Sequence, residues 1–263
     1  MGQLRGYPRH RLIATPDRIR RSASLKLARA PAVALDLLGG FALRLDGRTT
    51  PLPMPARRVL VFVALRRRAL ARSYVAQSLW ANATESHADG NLRSALWSLG
   101  RAGRSLLDVR GGQLALDAGV EVDLYRSAAL ARSLLTKDST LEPRELDEQG
   151  LCADLLPDWY DEWLLPERES YKQLRLHALE ELCIRLISLR SFGRAVQAGL
   201  AAVSAEPLRE SANAVLIKAY LAEGNTGEAL RQYEHYRDLL RRELDVAPTA
   251  AIGALLEAAF ARR

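Results

Sequence analysis

The sequence predicts a mainly α-helical protein with small β-sheets, and three observations favour this class. Two short stretches alternate apolar and polar residues around the turn signals Asp46-Gly47 and Arg110-Gly111-Gly112, which is typical of β-hairpins. Apolar residues recur at helical spacing between these stretches, and again through almost all of the chain after Asp123. A 34-residue period in the rear part is typical of paired helices. We therefore expect a small mixed unit followed by an all-α unit.

The charge is distributed unevenly along the 263 residues, whose net charge is +7. Residues 1–31 carry eight Lys and Arg against one Asp, residues 32–122 carry twelve basic against seven acidic residues, and residues 123–263 carry 18 against 23. A basic front and an acidic rear are expected when the front binds a polyanion. We interpret 1–31 as a flexible basic arm, and 32–122 and 123–263 as two domains.

Several classes of protein are disfavoured by the composition. The sequence contains no run of 18 apolar residues, which a membrane span would require. The basic N-terminus is not followed by the apolar segment of a secretory signal. A cytoplasmic location is therefore expected. Cys152 and Cys183 lie in apolar helical patterns and are predicted to be reduced core residues. The four histidines are scattered and no catalytic set is evident. We expect no enzyme activity, no metal and no cofactor.

The first elements of the front domain are a small sheet and a helix. Phe41, Leu43 and Leu45 alternate with polar residues ahead of the Asp46-Gly47 turn, and a proline-rich stretch then ends the sheet. A helix follows with Pro55 in its first turn. Its predicted core face consists of Val59, Leu60, Val63 and Ala64. Its arginines are predicted to face solvent: Arg57, Arg58, Arg66, Arg67 and Arg68.

A second and a third helix follow, joined by a short polar link. Ser73 is a plausible N-cap of the second helix, which is predicted to end at Trp80. The third lies in the stretch GNLRSALWSLGRAG, where Leu92, Leu96 and Leu99 form one apolar stripe. A second line at the same spacing holds Arg93, Trp97, Arg101 and Arg104, with Ser94 beside it.

Helix, link, helix and glycine-rich hairpin together predict a winged helix-turn-helix, with the third helix available for the major groove of DNA. The candidate DNA-binding residues are Arg72, Ser73, Asn91, Arg93, Ser94, Trp97, Arg101, Arg104 and Arg110. The arginines suit phosphates and guanine edges, and a helix N-terminus at Arg72 and Ser73 suits a phosphate. A merely solvated face is the alternative. For Trp97, contact with a thymine methyl group or sugar and packing under the wing remain equally open.

The rear domain contains an internal repeat. Leu182, Cys183, Leu186, Gly193, Ala195 and Gly199 recur 34 residues later as Leu216, Ile217, Tyr220, Gly227, Ala229 and Tyr233. This spacing is typical of tetratricopeptide-like helix pairs, which serve chiefly as protein-docking surfaces. Pro207 and Pro248 fall where a helix must stop. A loop is predicted near Leu151–Asp158, with helix after it. The stretch DWYDEW, residues 158–163, is predicted to have core aromatics and a solvated acidic face, and an interaction patch is the alternative.

These motifs resemble a known family. The runs LDLLGGFALRLDGRTTPLP, ARRVLVFVALRRR, NLRSALWSLGRAG and ALDAGVEVDL look like the OmpR-type winged helix of the SARP-type antibiotic-pathway regulators. The runs LRE, GEAL, YRDLLRREL and VAPTAAI are similar to the bacterial transcriptional activator domain of the same regulators. The resemblance covers about residues 33–261.

The resemblance implies an activator that binds direct repeats in promoter DNA, contacts RNA polymerase holoenzyme, forms a homodimer on DNA and regulates secondary-metabolite genes. Two positions depart from the family pattern. Gly100 stands where an arginine is usual, and Gln113 and Leu114 stand where an aromatic residue usually follows the wing glycines. Both departures fall on the DNA-facing surface. They motivate an alternative function, a protein-interaction adaptor or antagonist of transcription that keeps the fold but binds DNA weakly.

Overall fold

The computed structural model describes residues 32–102, 106–136 and 148–261, so the predicted basic arm lies outside the described residues. The front begins with the strands β1 (Val33–Asp36), β2 (Ala42–Leu45) and β3 (Arg48–Thr49). These pair antiparallel, and β1 also pairs in parallel with β7 (Glu121–Val122), which gives the order β3-β2-β1-β7. The turn between β2 and β3 consists of Asp46 and Gly47, both with positive φ. Positive φ at both central residues matches the twist of a two-residue hairpin, so the predicted hairpin is confirmed.

Three helices follow: α1 (Met54–Arg66), α2 (Arg72–Leu79) and α3 (Glu85–Gly100). As predicted, Pro55 lies in the first turn of α1. Every residue from Val59 to Leu65 is buried, so the single predicted core face was too narrow. The helix is surrounded because α2, α3 and a wing strand pack on it, and Trp163 from the rear of the chain packs edge-on against its Phe62.

The wing is a hairpin of β5 (Leu107–Arg110) and β6 (Gln113–Leu116), extended by the short strand β4 (Leu70–Ala71) in the order β4-β6-β5. Gly111 and Gly112 form its turn, and both have positive φ, a region in which glycine carries no steric penalty. The predicted second hairpin is thus confirmed. Arg110 is the last residue of the incoming strand, so its side chain lies beside the turn.

The rear is helical. Its elements are α4 (Asp123–Leu135), α5 (Glu148–Cys152), a 3-10 turn (Glu162–Leu164), α6 (Leu165–Ser188), α7 (Phe192–Ala205), α8 (Glu210–Glu223), α9 (Thr226–Leu244) and α10 (Ala250–Phe260). The two repeats correspond to α6 with α7 and α8 with α9, and Leu182, Cys183, Leu216 and Ile217 are all buried. Pro207 and Pro248 lie between helices, as predicted. None of the helices in the described segments is long and apolar enough to span a bilayer.

One hydrophobic core extends across the front and into the rear. Residues of the sheet and of α1, α2 and α3 share it with a second set from the rear segment: Leu155, Leu156, Trp159, Leu164 and Tyr171. Backbone hydrogen bonds continue the sheet into this segment, from Gly39 N to Asp154 O (2.7 Å) and from Leu156 N to Leu37 O (2.9 Å). The front and the start of the rear are therefore joined by packing and by backbone pairing. A second core lies between α4, α6, α7 and α8.

Four predictions about local structure were wrong. The N-cap of α2 is Ala71, not Ser73, because β4 pairing with the wing sets where the helix begins. Residues 159–161, after the predicted loop, are not helical; Trp159 is buried as predicted, but Tyr160 is 89% exposed. Cys152 is exposed, while Cys183 is buried as predicted.

The fourth concerns the five arginines in and directly after α1, of which only Arg67 and Arg68 are solvent-exposed. Arg58 forms an ion pair with Asp161, and Arg66 forms one with Glu167. Arg57 donates to Leu52 O and lies over the Phe41 ring. Acids of the rear therefore cover Arg58 and Arg66, whereas residues of the front itself cover Arg57.

Candidate nucleic-acid interface

The inner side of α3 anchors the helix to the front core. Ala88, Leu92, Ala95 and Leu99 are buried, and Leu96 is half-buried against the same core. The predicted leucine stripe is confirmed. Because a helix repeats every 3.6 residues, fixing this stripe turns the line through Arg93, Trp97 and Arg101 to the opposite side.

The outer side of α3 is exposed. Asn91, Arg93, Ser94, Trp97 and Arg101 are all accessible to solvent, and Arg104 lies outside the described residues. Among the described residues, neither Arg93 nor Arg101 forms an ion pair with a carboxylate of its own chain. The guanidinium groups therefore keep their charge available to an external anion.

The exposure of Trp97 excludes one of the two alternatives left open for it, packing under the wing. Its side chain is 65% exposed, so it does not pack under the wing as a core residue. The guanidinium of Arg101 lies over its ring, 4.3 Å from the centroid, which is a cation–π contact. This stacking gives two long side chains a defined arrangement on the outer surface of the helix.

The start of α2 lies against the wing. The backbone N–H of Arg72 donates to Gly112 O over 3.1 Å, so this first amide of the helix is already occupied. Arg72 is half-buried and Ser73 is exposed. Only the remaining amides of the first turn and these two side chains are left for a phosphate at this end.

The wing presents an exposed cation beside its turn. The Arg110 side chain is 86% exposed and its Nε lies 2.8 Å from Asp108 Oδ1. An ion pair this exposed contributes little in water, and a phosphate can compete for the arginine. Of the two residues that replace the family's aromatic, Gln113 is exposed and Leu114 is fully buried beneath the wing. The departure therefore affects the surface at Gln113 and the core at Leu114.

One contact at the end of α2 was not predicted from the sequence. Helix α2 has no basic residue in its last turn, yet its last carbonyl, Leu79 O, accepts a hydrogen bond of 2.9 Å from Arg58 Nη2 of α1. The missing C-terminal cation was a usable signal that a partner is needed. Nothing local identified which arginine supplies it.

The described residues contain no group of three or more His, Cys, Asp or Glu side chains with the arrangement of a metal site. The surface assembled on the front is thus one of cations, amides and an aromatic ring. Such a set is suited to binding an extended polyanion, because its groups donate hydrogen bonds and carry positive charge.

The rear of the chain matches the family model described as the bacterial transcriptional activator domain, over residues 126–259. The chain belongs to this family. The match confirms the resemblance to the SARP-type regulators.

One solved structure with a similar fold is Mycobacterium tuberculosis EmbR in complex with a low-affinity phosphopeptide. It is 20% identical, with a TM-score of 0.65 over 88% of this chain and 66% of the EmbR chain. This similarity confirms the predicted fold, a winged helix followed by a helical domain. The present chain thus spans just under two thirds of the length of the EmbR chain. No curated protein matches the sequence.

Proposed function

We propose that the chain is a sequence-specific DNA-binding transcription activator that binds direct repeats at promoters. The observation that supports this most is the exposed line formed by Arg93 and Trp97 on α3 and Arg101 directly after it, where α3 is the second helix of a helix-turn-helix. In this motif the second helix enters the major groove. The line has the residue types that read base edges there, on a helix whose opposite side is fixed to a core.

Each candidate residue has a role that fits its exposure. Arg93 and Arg101 contact guanine edges or phosphates, and a bidentate guanine contact contributes about 1–3 kcal/mol of base discrimination. Trp97 contacts a thymine methyl group or a sugar, and Asn91 and Ser94 contact phosphates or bases beside it. The DNA backbone on either side of the groove is contacted by Arg72 and Ser73 at the start of α2 and by Arg110 on the wing. Arg104 is proposed to extend the line.

The partners and the setting follow from the family resemblance. RNA polymerase holoenzyme is the proposed protein partner, bound through the acidic helical rear. Two copies are proposed to bind one operator as a homodimer, on half-sites about 10–11 base pairs apart or twice that. The proposed setting is the cytoplasm, without membrane attachment, and the proposed targets are secondary-metabolite genes.

A selection experiment followed by titration tests the proposal. Genomic fragments are selected with the full chain and footprinted, and the duplex obtained is compared with a scrambled duplex by fluorescence anisotropy at matched salt. The selected duplex should bind at least about a hundredfold more tightly, a smaller ratio than that of typical specific regulators. Equal affinity for both duplexes would contradict sequence-specific binding.

Charge reversal locates the binding surface. Arg93→Glu with Arg101→Glu should abolish specific binding and reduce the slope of log affinity against log salt, by about 0.9 for each phosphate that the variant no longer neutralises. The matched control is Arg241→Glu with Arg242→Glu, the same change of charge on exposed residues of α9. Equal reductions of affinity in both variants would show that only net charge matters.

The alternative function, an adaptor or antagonist with weak DNA binding, is supported by the exposed Gly100 at the end of α3. Apart from its own helix backbone and its chain neighbours, no described atom lies within 4 Å of where its Cβ would be, so there is room for a side chain to begin there. Under the alternative, the native chain binds polymerase but selection yields no duplex that it prefers to a scrambled one, and Gly100→Arg creates specific DNA binding. Under the activator proposal, Gly100→Arg only strengthens binding that already exists.

A further inference from the structure

The end of α2 depends on a side chain from another helix. Arg58 of α1 donates from Nη2 to Leu79 O, the carbonyl of the last residue of α2. The chain then turns through residues 80–84 and enters α3. The last carbonyls of a helix lack partners within the helix, and a cation placed there both donates hydrogen bonds and opposes the negative end of the helix dipole. Arg58 therefore fixes the position of the end of α2, from which the chain leads into α3.

Arg58 is in turn held by the rear of the chain. Asp161 Oδ1 accepts from Arg58 Nε (2.9 Å), lies 2.7 Å from Arg58 Nη2, and accepts from the Trp163 indole N–H at 3.1 Å. The carboxylate is only 15% exposed and the Arg58 side chain only 24%. A charge-assisted contact made by two guanidinium nitrogens in such a sheltered place fixes orientation strongly.

The aromatic contacts follow the same route. The Trp163 ring meets Phe62 of α1 edge-on at 5.2 Å between centroids, and Phe62 contacts Tyr74 of α2 at 5.8 Å. Segment 161–163 therefore acts on the helix-turn-helix in two ways: through the Asp161 ion pair to the end of α2, and through Trp163 and Phe62 to its first turn.

We propose that Asp161 is a positioning residue of the helix-turn-helix: it orients Arg58, which caps α2 and sets the approach of α3 to DNA. The proposal rests on the proposed function. Without the Asp161 charge, Arg58 is a sheltered cation with no carboxylate partner and turns toward water, leaving Leu79 O without its donor. Base contacts require close alignment of α3, whereas phosphate contacts tolerate small tilts, so specific binding is lost before non-specific binding.

The variant Asp161→Asn tests this in the full chain, since it keeps the shape of the side chain and an acceptor for Trp163. The ratio of affinities for selected and scrambled duplexes should fall about tenfold, an ordinary size for coupling between two sites. Affinity for the scrambled duplex should change no more than in Asp158→Asn, an exposed acid of the same loop that undergoes the same change of charge. Equal ratios in the two variants would overturn the proposal.

A second measurement does not depend on DNA binding. Hydrogen exchange of amides at the end of α2 and in the turn 80–84 should be faster in Asp161→Asn, with α7, α8 and α9 unchanged. Glu167→Gln is the matched control, because it breaks the other ion pair between α1 and the rear, at Arg66, without touching α2. If the native chain fails to discriminate duplexes but the exchange pattern holds, the proposed function fails and the positioning contact stands. If Asp161→Asn and Glu167→Gln give the same exchange at the end of α2, the positioning role is wrong.

Arg58→Lys gives an independent check, since it keeps the charge but lacks the fork that reaches Asp161 and Leu79 O together. It should reproduce the loss of discrimination, and combining it with Asp161→Asn should add little. Fully additive effects of the two substitutions would contradict the proposed route through Arg58. Equal melting temperatures of native and variant proteins would confirm that the loss does not come from unfolding.

Discussion

At the scale of one residue, Trp97 shows that the side chains of α3 proposed to bind DNA differ from those that anchor the helix in the core. Its ring is 65% exposed and the Arg101 guanidinium lies over it, while Leu92 and Leu99 on the other side of the helix are buried. A large aromatic ring left in solvent adds little to the free energy of folding. The side chain is therefore free to contribute to binding.

Replacing Trp97 tests this separation. Trp97→Ala should change the free energy of unfolding by no more than about 0.5 kcal/mol, as for other surface substitutions, and should weaken binding to the selected duplex. The control is Trp159→Ala, since Trp159 is only 7% exposed and its loss should cost about 3–5 kcal/mol. Urea unfolding and fluorescence anisotropy measure the two effects. A large loss of stability in Trp97→Ala would mean that the residue is structural after all.

The two cysteines should differ in reactivity. Cys152 is exposed and Cys183 is buried, and burial raises the pKa of the Cys183 thiol to about 12. Because the thiolate is the nucleophile, iodoacetamide near neutral pH should modify Cys152 in the native protein and Cys183 only after denaturation. Mass spectrometry of the alkylated peptides checks this. Modification of Cys183 in the folded protein would contradict its position in the core.

The same shift has a consequence for stability at high pH. The folded-state pKa of Cys183 lies above the ordinary value of 9.0, so its contribution to stability is complete below that pH and is lost as the pH rises toward a pKa of about 12. Burial also raises the pKa of Tyr236 to about 12, which acts in the same direction. The free energy of unfolding of the native protein should fall over this range, and that of Cys183→Ala should fall less steeply. Parallel curves would exclude Cys183 as a source of the loss.

At the scale of the element, the packing of α7 on α8 depends on a missing side chain. A Cβ at Gly199 would lie 3.1 Å from Leu216 Cα, closer than ordinary van der Waals contact. The two helices approach each other at this point because glycine leaves the space open. The same repeat position in the next pair is Tyr233, so the close approach belongs to the first repeat.

The variant Gly199→Ala should therefore be destabilised by about 1–3 kcal/mol, as in other overpacked sites, even though alanine favours the helix by about 1 kcal/mol. Gly193→Ala in the same helix is the control, because no atom lies within 4 Å of where its Cβ would be. Its stability should stay the same or rise slightly. Thermal unfolding of both variants measures the difference. An equal gain in stability in both would show that α7 and α8 can separate without cost.

At the scale of the whole molecule, the hydrophobic core of the front includes side chains from the rear. Leu155, Leu156, Trp159, Leu164 and Tyr171 belong to the same core as the winged helix. The carboxylate of Asp123, from the rear, also accepts hydrogen bonds from two backbone amides of the front, Leu37 N (2.9 Å) and Leu38 N (3.0 Å). Burying one leucine contributes about 1.5–3 kcal/mol, so this shared core is a large fraction of the marginal stability of a domain.

Removing one of these shared side chains should weaken both parts. Leu164→Ala should lower the free energy of unfolding by about 2–5 kcal/mol and speed hydrogen exchange in β1 and β2, although the residue lies far from these strands along the chain. Leu189→Ala, an exposed leucine that follows α6, should change neither. Faster exchange confined to the helices of the rear would contradict a common core.

The elements that could be predicted are those whose cause is local. Leu92 and Leu99 repeat at the helical period, Asp46-Gly47 and Gly111-Gly112 accept the positive φ of a tight turn, and the repeated small residues indicate helix pairs. Each of these preferences acts over a few residues, or recurs at a fixed spacing, so it can be recognised along the chain. The DNA-facing candidates Arg93 and Trp97 followed from the same periodicity, because a buried stripe implies an outer one.

The sequence by itself thus determined the fold class, the family and which side of α3 lies outward. The tertiary structure alone decided that Arg58 faces Asp161 rather than solvent, that Cys152 is exposed, and that Ala71 rather than Ser73 precedes α2. The physical reason is distance: Arg58 and Asp161 lie 103 positions apart, and their ion pair exists only after the shared core has brought α1 against the segment before α6. The local conformational preferences of the residues cannot predict a contact that depends on the packing of the whole molecule.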